Sequence, residues 1–265
     1  MKKYTQYFIK ASETSHQFGL LTKENSFSER NEPIEVYVLT TLSLVKQHCK
    51  AISNLLDENL YITTMIVLRN IMELSFNLKW IYDAEDEKEK LATVYQLEGT
   101  AFSALDKEVK MMEEDANTDK LVWDEHMFKE KKETLQKAKK IYPELVRKNR
   151  NGIDIFREAP PFALRMEKIY RLKFYNIYRF LSSFVHPSPI LREFTLIGNY
   201  SNKTPTLILE SLFPELIKDS LAFIYGILEI SDKIFSNRFP DKQNQFEKFR
   251  MEYFNLIKDI IGNTT

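Results

Sequence analysis

The chain has 265 residues, enough to bury a substantial hydrophobic core, and its 38 Lys plus Arg residues balance its 38 Asp plus Glu residues. A formal net charge of zero argues against a protein that coats nucleic acid over its whole surface, and it leaves room for a local basic site. Glycine is scarce, whereas Phe and Tyr number 19 and 13, which is typical of a packed, helix-rich protein and excludes a disordered or fibrous chain.

Helical periodicity recurs along almost the whole chain. We predict helices over residues 33–57, 60–83, 86–115, 119–150, 212–236 and 241–261, and either one helix or a helix pair over residues 162–186. The predicted fold is all-α, a multi-helix bundle formed by a single helical domain (residues 1–265), into which residues 86–150 are inserted as a long charged helical hairpin. Residues 187–210 contain three prolines and are predicted to form an irregular loop or a small hairpin.

The single cysteine, Cys49, excludes a disulfide within the chain and fits a reducing compartment. It falls in an apolar stripe of helical spacing, so we expect a buried, inert thiol. No apolar segment of secretory length follows the N-terminal lysines. The most apolar stretch, Leu60 to Tyr82, contains five charged or amide side chains, too many for a membrane span. We therefore predict a cytoplasmic protein without membrane contact.

The segment that ends at Pro187 carries a pair of residues able to act on a phosphate. Arg179 and His186 are seven residues apart, so a helix places them on one face, roughly 10 Å apart along its axis. A guanidinium can bind a phosphate through paired hydrogen bonds, and an imidazole can transfer a proton near neutral pH. The alternative is a surface salt bridge and a helix cap. Tyr178 and Ser182 share the face of His186 and either offer hydroxyls to a phosphate or simply fill and cap the helix.

The sequence Tyr-Arg-Phe-Leu-Ser-Ser-Phe-Val-His-Pro-Ser over residues 178–188 resembles the HEPN superfamily of helical domains, whose signature is an arginine, four to six residues and a histidine. Arg179 and His186 match this signature at its longest spacing. The resemblance implies a metal-independent ribonuclease of a toxin–antitoxin, CRISPR or anti-phage system, often a dimer whose two motifs face each other. Family nucleases usually carry a polar residue directly after the arginine, where this chain has Phe180. The resemblance covers residues 33–83 and 162–235.

Arg69 and Glu73 form a second constellation, one turn apart within the central apolar helix. They belong to the run Leu-Arg-Asn-Ile-Met-Glu-Leu, which also resembles an uncharacterised bacterial family of the HEPN type. A charged pair in an apolar stripe is costly unless it is hydrogen-bonded. With Asn70, the pair is predicted either to support a pocket beside His186 or to form a buried ion pair that fixes helix register. Both readings place it against the helix predicted over 162–186.

The densest basic run is predicted to contact RNA or an acidic partner protein, the alternative being a solvated helix face. Its members are Lys139, Lys140, Arg147, Lys148 and Arg150.

No metal and no cofactor are expected. Glu13 and His16 have the Glu-x-x-His spacing of di-iron bundles, but the ligand set is incomplete. The sequence also has no paired Cys or His motif for zinc and no glycine-rich nucleotide-binding motif.

The resemblance to the HEPN superfamily, together with these patterns, implies two alternative functions. The first is a metal-independent RNA endonuclease of the HEPN type, acting as a homodimer in bacterial defence or as a toxin. In this reading Arg179 holds the scissile phosphate and His186 is the acid or base. The second is a non-catalytic scaffold, favoured by Phe180, that binds a partner protein or a nucleotide as an antitoxin, immunity or effector-complex component.

Overall fold

The computed structural model describes residues 2–23, 32–99, 125–148, 154–156, 162, 164–165, 172–184 and 205–262. Its α-helices are α1 (Thr5–Lys23), α2 (Glu32–Asp57), α3 (Tyr61–Tyr82), α4 (Glu125–Ile141), α5 (Leu172–Ser182), α6 (Pro205–Arg238) and α7 (Gln243–Ile261), and residues 87–99 are also helical. Short 3-10 helices occur at Lys2–Tyr4, Pro143–Leu145 and Pro240–Lys242. The all-α prediction is confirmed, with one two-stranded antiparallel hairpin of β1 (Val146–Lys148) and β2 (Asp154–Phe156) added to it.

The chain divides into two compact units, residues 1–82 with 165–265, and residues 83–164. In the first unit α1 packs along α2, α3 packs against both α2 and α6, and α7 packs against α6 and α1. The core side of α2 is the predicted apolar stripe, and each member is at most 1% exposed: Val38, Leu42, Val45, Cys49, Ile52 and Leu56. Because each large aliphatic side chain contributes about 1.5–3 kcal/mol when fully buried, this stripe fixes α2 within the core.

The turn between α2 and α3 determines how α3 lies beside α2. Asn59 has a φ of 57°, in the left-handed region that asparagine tolerates better than most residues. The Leu60 backbone N–H donates to the Leu55 carbonyl at 2.8 Å, and the Tyr61 hydroxyl donates to the Asn59 side-chain oxygen at 3.0 Å. The chain therefore reverses direction within a few residues, and α3 packs against α2.

Three phenylalanine rings attach α5 to the rest of the first unit. Phe174 on α5 lies 6.4 Å from Phe76 on α3 and 5.3 Å from Phe223 on α6, measured between ring centroids. Phe76 and Phe223 are 5.5 Å apart, so each ring contacts the other two. Tilted and edge-on aromatic pairs of this kind contribute about 0.5–1.5 kcal/mol beyond the area they bury. α5 is therefore held to α3 by an apolar contact close to the polar residues described below.

The second unit combines helical residues 87–99, α4 and the hairpin. Asp86 begins the first of these helices, since its carboxylate accepts the Glu89 backbone N–H at 2.8 Å. On α4, Leu135 and Ala138 are buried and pack against Tyr95, whose ring lies 5.9 Å from that of Tyr142. A small apolar core thus joins α4 to the preceding helix.

The structure differs from the prediction at two element boundaries. The helix predicted to extend to residue 150 ends at Ile141, because Pro143 cannot continue it, and β1 follows. The irregular segment predicted to extend to residue 210 gives way to helix at Pro205, a residue suited to a first helical turn. Residues 187–204, and the turn predicted near residues 113–119, lie outside the described residues. Across the described helices, none combines the length and apolar character that a bilayer crossing requires.

Candidate functional site

The face of α3 that meets α5 carries a row of polar side chains. Arg69, Glu73 and Asn77 are spaced four residues apart, so they follow one another along one side of the helix. Arg69 Nη2 lies 2.6 Å from Glu73 Oε1, which makes a direct ion pair. Tyr178 of α5 completes the arrangement, since its hydroxyl accepts a hydrogen bond from Arg69 Nη2 at 3.0 Å and donates one to Glu73 Oε1 at 3.0 Å. We call Arg69, Glu73 and Tyr178 the α3–α5 bridge.

The α3–α5 bridge is shielded from solvent without being sealed. The side chains of Arg69 and Glu73 are 18% and 31% exposed. The Arg69 guanidinium also lies over the Tyr178 ring, 5.2 Å from its centroid, where a cation is attracted to the ring face. Each charged group is thus neutralised by the other and hydrogen-bonded to the same hydroxyl. Arg69 and Glu73 face α5, and together with Tyr178 they connect α3 to α5.

A second guanidinium lies near the bridge. Arg165 donates a hydrogen bond from Nη1 to Asn77 Oδ1 on the same face of α3. Burial lowers the pKa of Arg165, and this effect is opposed by Glu73 and by the hydroxyls of Tyr37 and Tyr178. The sequence analysis did not select Arg165, because it lies outside the arginine–histidine signature and its neighbours show no motif. Only its position near the start of a predicted helix could have suggested a role.

Arg179, the predicted phosphate ligand, lies on a different side of α5 from the bridge. Successive helical residues are rotated by about 100°, so when Tyr178 faces α3 its neighbour faces elsewhere, and Arg179 is exposed. The structure does not bring Arg179 to Arg69 or Glu73. His186, the predicted acid or base, lies outside the described residues. Asn70 is half-buried on α3, next to Arg69.

Two side chains that follow Arg179, those of Phe180 and Ser182, make local contacts. Ser182 Oγ donates to the Tyr178 carbonyl at 2.7 Å, which favours the capping interpretation of this hydroxyl over phosphate binding. Phe180 lies edge-on to Phe184, with ring centroids 5.1 Å apart and an interplanar angle of 80°. The residue directly after Arg179 thus takes part in an aromatic contact.

The predicted basic run belongs to α4 and β1. Lys140, Arg147 and Lys148 are exposed. Lys139 is half-buried, and its amine donates to the Asp154 backbone carbonyl at 2.6 Å, so it joins α4 to β2. Arg150 lies outside the described residues.

The described residues include no group of three or more His, Cys, Asp or Glu side chains that could hold a metal ion.

Comparison with known proteins assigns a family to the chain. Residues 35–199, about three fifths of its length, match the family of unknown function DUF5677, and the chain belongs to that family. The matched segment includes all three residues of the α3–α5 bridge, and it also includes Arg179 and His186. No curated protein and no solved structure matches the chain.

Proposed function

We propose that this protein is a metal-independent RNA endonuclease of the HEPN type, acting as a cytoplasmic homodimer in bacterial defence or as a toxin. The observation that carries the proposal is the exposure of Arg179 in the last turn of α5, seven residues before His186. An exposed guanidinium is accessible to a phosphate of an extended substrate, and it presents the planar donor pair that phosphate oxygens accept.

The two residues divide the chemistry between them. Cleavage proceeds by attack of the ribose 2′-oxygen on phosphorus, which forms the new P–O2′ bond and breaks the P–O5′ bond. His186 of one copy removes the 2′-hydroxyl proton, and His186 of the other copy protonates the departing 5′-oxygen, since imidazole titrates near neutral pH. Arg179 binds the non-bridging oxygens and stabilises the charge that builds up on them.

The α3–α5 bridge has a positioning role in this proposal. The Tyr178 hydroxyl accepts a hydrogen bond from Arg69 and donates one to Glu73, and these two bonds fix the rotation of α5 about its own axis. Because Arg179 is the next residue, that rotation sets the direction in which its guanidinium points. Arg69 and Glu73 therefore act through Tyr178 on Arg179 and not on the RNA itself.

The test is cleavage of a labelled RNA by the purified protein in EDTA. His186→Ala should lower the rate by about 100-fold or more, as expected for loss of a general acid–base, and Arg179→Ala should lower it similarly. His16→Ala is the matched control, because His16 is an exposed histidine on α1. Equal RNA degradation by wild type and His186→Ala would show that the activity does not come from this site.

A second function is favoured by one specific contact. Phe180 packs against Phe184 where a nuclease of this type usually has a polar side chain next to its arginine. This contact supports a non-catalytic scaffold that uses the same helices to bind a partner protein or a nucleotide. Wild-type protein that leaves RNA intact in both EDTA and Mg²⁺, while remaining folded, would select this function over the nuclease.

A further inference from the structure

We propose that the end of α4 and strand β1 together form a binding surface for the backbone of single-stranded RNA. We call Lys137, Lys140 and Lys148 the α4–β1 surface. All three side chains are exposed. Arg147 is also exposed, but it precedes Lys148 in the strand, so its side chain points to the opposite face of the hairpin. The inference deepens the proposed function, since it names the part of the chain that would hold the RNA substrate, and it is tested by binding alone.

The hairpin contacts bring the cations of the helix and the strand together. Lys148 pairs with Asp154 across the antiparallel hairpin. The carbonyl of that same Asp154 accepts the Lys139 amine at 2.6 Å, so the hairpin is attached to the last turn of α4. Lys140 follows Lys139 directly and is exposed. A helix end and a strand that are adjacent in sequence are thus also tied to each other in space.

The charge of this segment contrasts with that of the whole chain. Residues 137–148 contain five Lys or Arg side chains and one carboxylate, Glu144, and Asp154 adds a second carboxylate opposite Lys148. This local excess of positive charge occurs in a chain whose formal net charge is zero. Such an excess of one sign in twelve residues creates a local positive potential that overall neutrality does not cancel, because salt screens charges farther away than about 8–10 Å.

The distribution of these cations fits a phosphate backbone better than an acidic protein. The α4–β1 surface spreads its charges over a helix turn and a strand, and a nucleic acid strand repeats its charges at regular intervals along its length. Lys139, which the sequence analysis placed among the contact residues, serves instead to attach the hairpin. Lysines in the last turn of a helix also interact favourably with its dipole, so their presence alone would be explained by helix stability. The helix dipole does not account for Lys148 on the neighbouring strand.

The binding experiment uses His186→Ala protein in EDTA, so that cleavage does not consume the probe. A fluorescent single-stranded RNA of about 20 nucleotides is titrated by anisotropy over a series of salt concentrations. If the three cations of the α4–β1 surface neutralise three phosphates, log K should fall with log salt at a slope of about −2.1. The double variant Lys140→Ala/Lys148→Ala should reduce the slope by about 1.4 and weaken binding about 25-fold at 0.1 M salt.

Two control variants separate charge from folding. Lys248→Ala/Lys258→Ala removes two exposed lysines from α7 and should leave the slope unchanged. Lys140→Arg/Lys148→Arg keeps the charges and should retain binding. An unchanged slope in Lys140→Ala/Lys148→Ala, or equally tight binding of polyglutamate, would overturn the inference. RNA that binds with the expected slope but is not cleaved by the wild type would refute the nuclease proposal and leave this surface standing.

Discussion

Replacement of Tyr178 by phenylalanine tests the α3–α5 bridge directly, because it removes one oxygen atom and keeps the ring. The lost hydroxyl makes two hydrogen bonds to charged partners, each 3.0 Å long. Arg69 and Glu73 stay paired with each other at 2.6 Å, and the guanidinium keeps its contact with the aromatic face. The variant therefore measures the connection between the helices and leaves the ion pair itself in place.

The expected loss of stability follows from these contacts. Hydrogen bonds to charged groups contribute about 1.5–3 kcal/mol each, but water reaches this partly exposed pair and replaces some of that interaction. We expect the free energy of unfolding to fall by about 2 kcal/mol in Tyr178→Phe. For a chain of this size, that corresponds to a melting temperature lower by about 4–8 °C.

Urea denaturation monitored by circular dichroism gives the free energy, and Tyr7→Phe is the control. The Tyr7 ring lies 6.4 Å from that of Tyr4, and the Tyr7 hydroxyl has no hydrogen-bond partner within the described residues. A double-mutant cycle with Glu73→Gln should give a coupling energy of about 1 kcal/mol. If Tyr178→Phe is no less stable than Tyr7→Phe, the bridge does not hold α5 and the positioning argument fails.

Three further predictions concern buried and charged groups of the first unit. Burial lowers the pKa of His48 below its ordinary 6.5, so the imidazole binds a proton more readily in the unfolded chain than in the folded one. As the pH falls through about 6.5, the wild type should therefore lose stability relative to His48→Asn, as measured by urea denaturation. The same pH dependence of stability in both proteins would contradict this prediction. Asp232 is 10% exposed and lies 2.7 Å from Arg250 Nε, so Asp232→Asn should lower the free energy of unfolding by about 3 kcal/mol. Glu252→Gln disrupts an exposed ion pair and should lower it by no more than about 1 kcal/mol. Equal losses of stability in urea denaturation would refute this distinction between the two pairs. Burial raises the pKa of the Cys49 thiol, so a thiol reagent should label it only in denaturant, and rapid labelling of folded protein would show an accessible thiol.

The apolar helices of the first unit could be predicted from the sequence because their burial pattern is local. Residues of α2 that recur every three or four positions all lie in the core, and Cys49 is buried among them as expected. The same rule failed at residues 142–148, where charged residues continue a helix-like pattern past Pro143. Val146, Arg147 and Lys148 have little intrinsic preference for a strand as a group, and their pairing with residues 154–156 depends on a hairpin that local periodicity cannot show.

The start of α6 illustrates a related difficulty. Pro205 and Pro214 both lie in this helix, one at its first position and one in its interior. The prediction places Pro205 in the preceding irregular segment, so the predicted helix begins at residue 212 and includes only Pro214. The proline at the first position needs no hydrogen-bond partner for its nitrogen, and Phe213 and Ile217 are fully buried around the second. Packing of the flanking residues therefore outweighs the local penalty.

The polar site was predictable only in part, because its residues lie far apart in the sequence. Arg69 and Glu73 could be selected because charges inside an apolar stripe require partners. Tyr178, more than 100 residues away, is identified as the shared partner only once α3 and α5 are in contact. Arg165 carries no signal of its own, since its neighbour Asn77 is on another helix and its pKa is lowered by burial that the sequence does not report.

The polar bridge also bears on how Arg179 could be presented to a substrate. The aromatic cluster around Phe174 holds α5 against α3 and α6, but apolar contacts tolerate rotation and sliding of a helix better than hydrogen bonds do. The hydroxyl of Tyr178 has fixed partners on α3, and a rotation of α5 would break both hydrogen bonds. A rigid direction for the next side chain is what a phosphate ligand needs, because a guanidinium stabilises developing charge only when it is already oriented. The bridge thus connects the partly exposed ion pair of α3 to the exposed Arg179 through one residue, Tyr178.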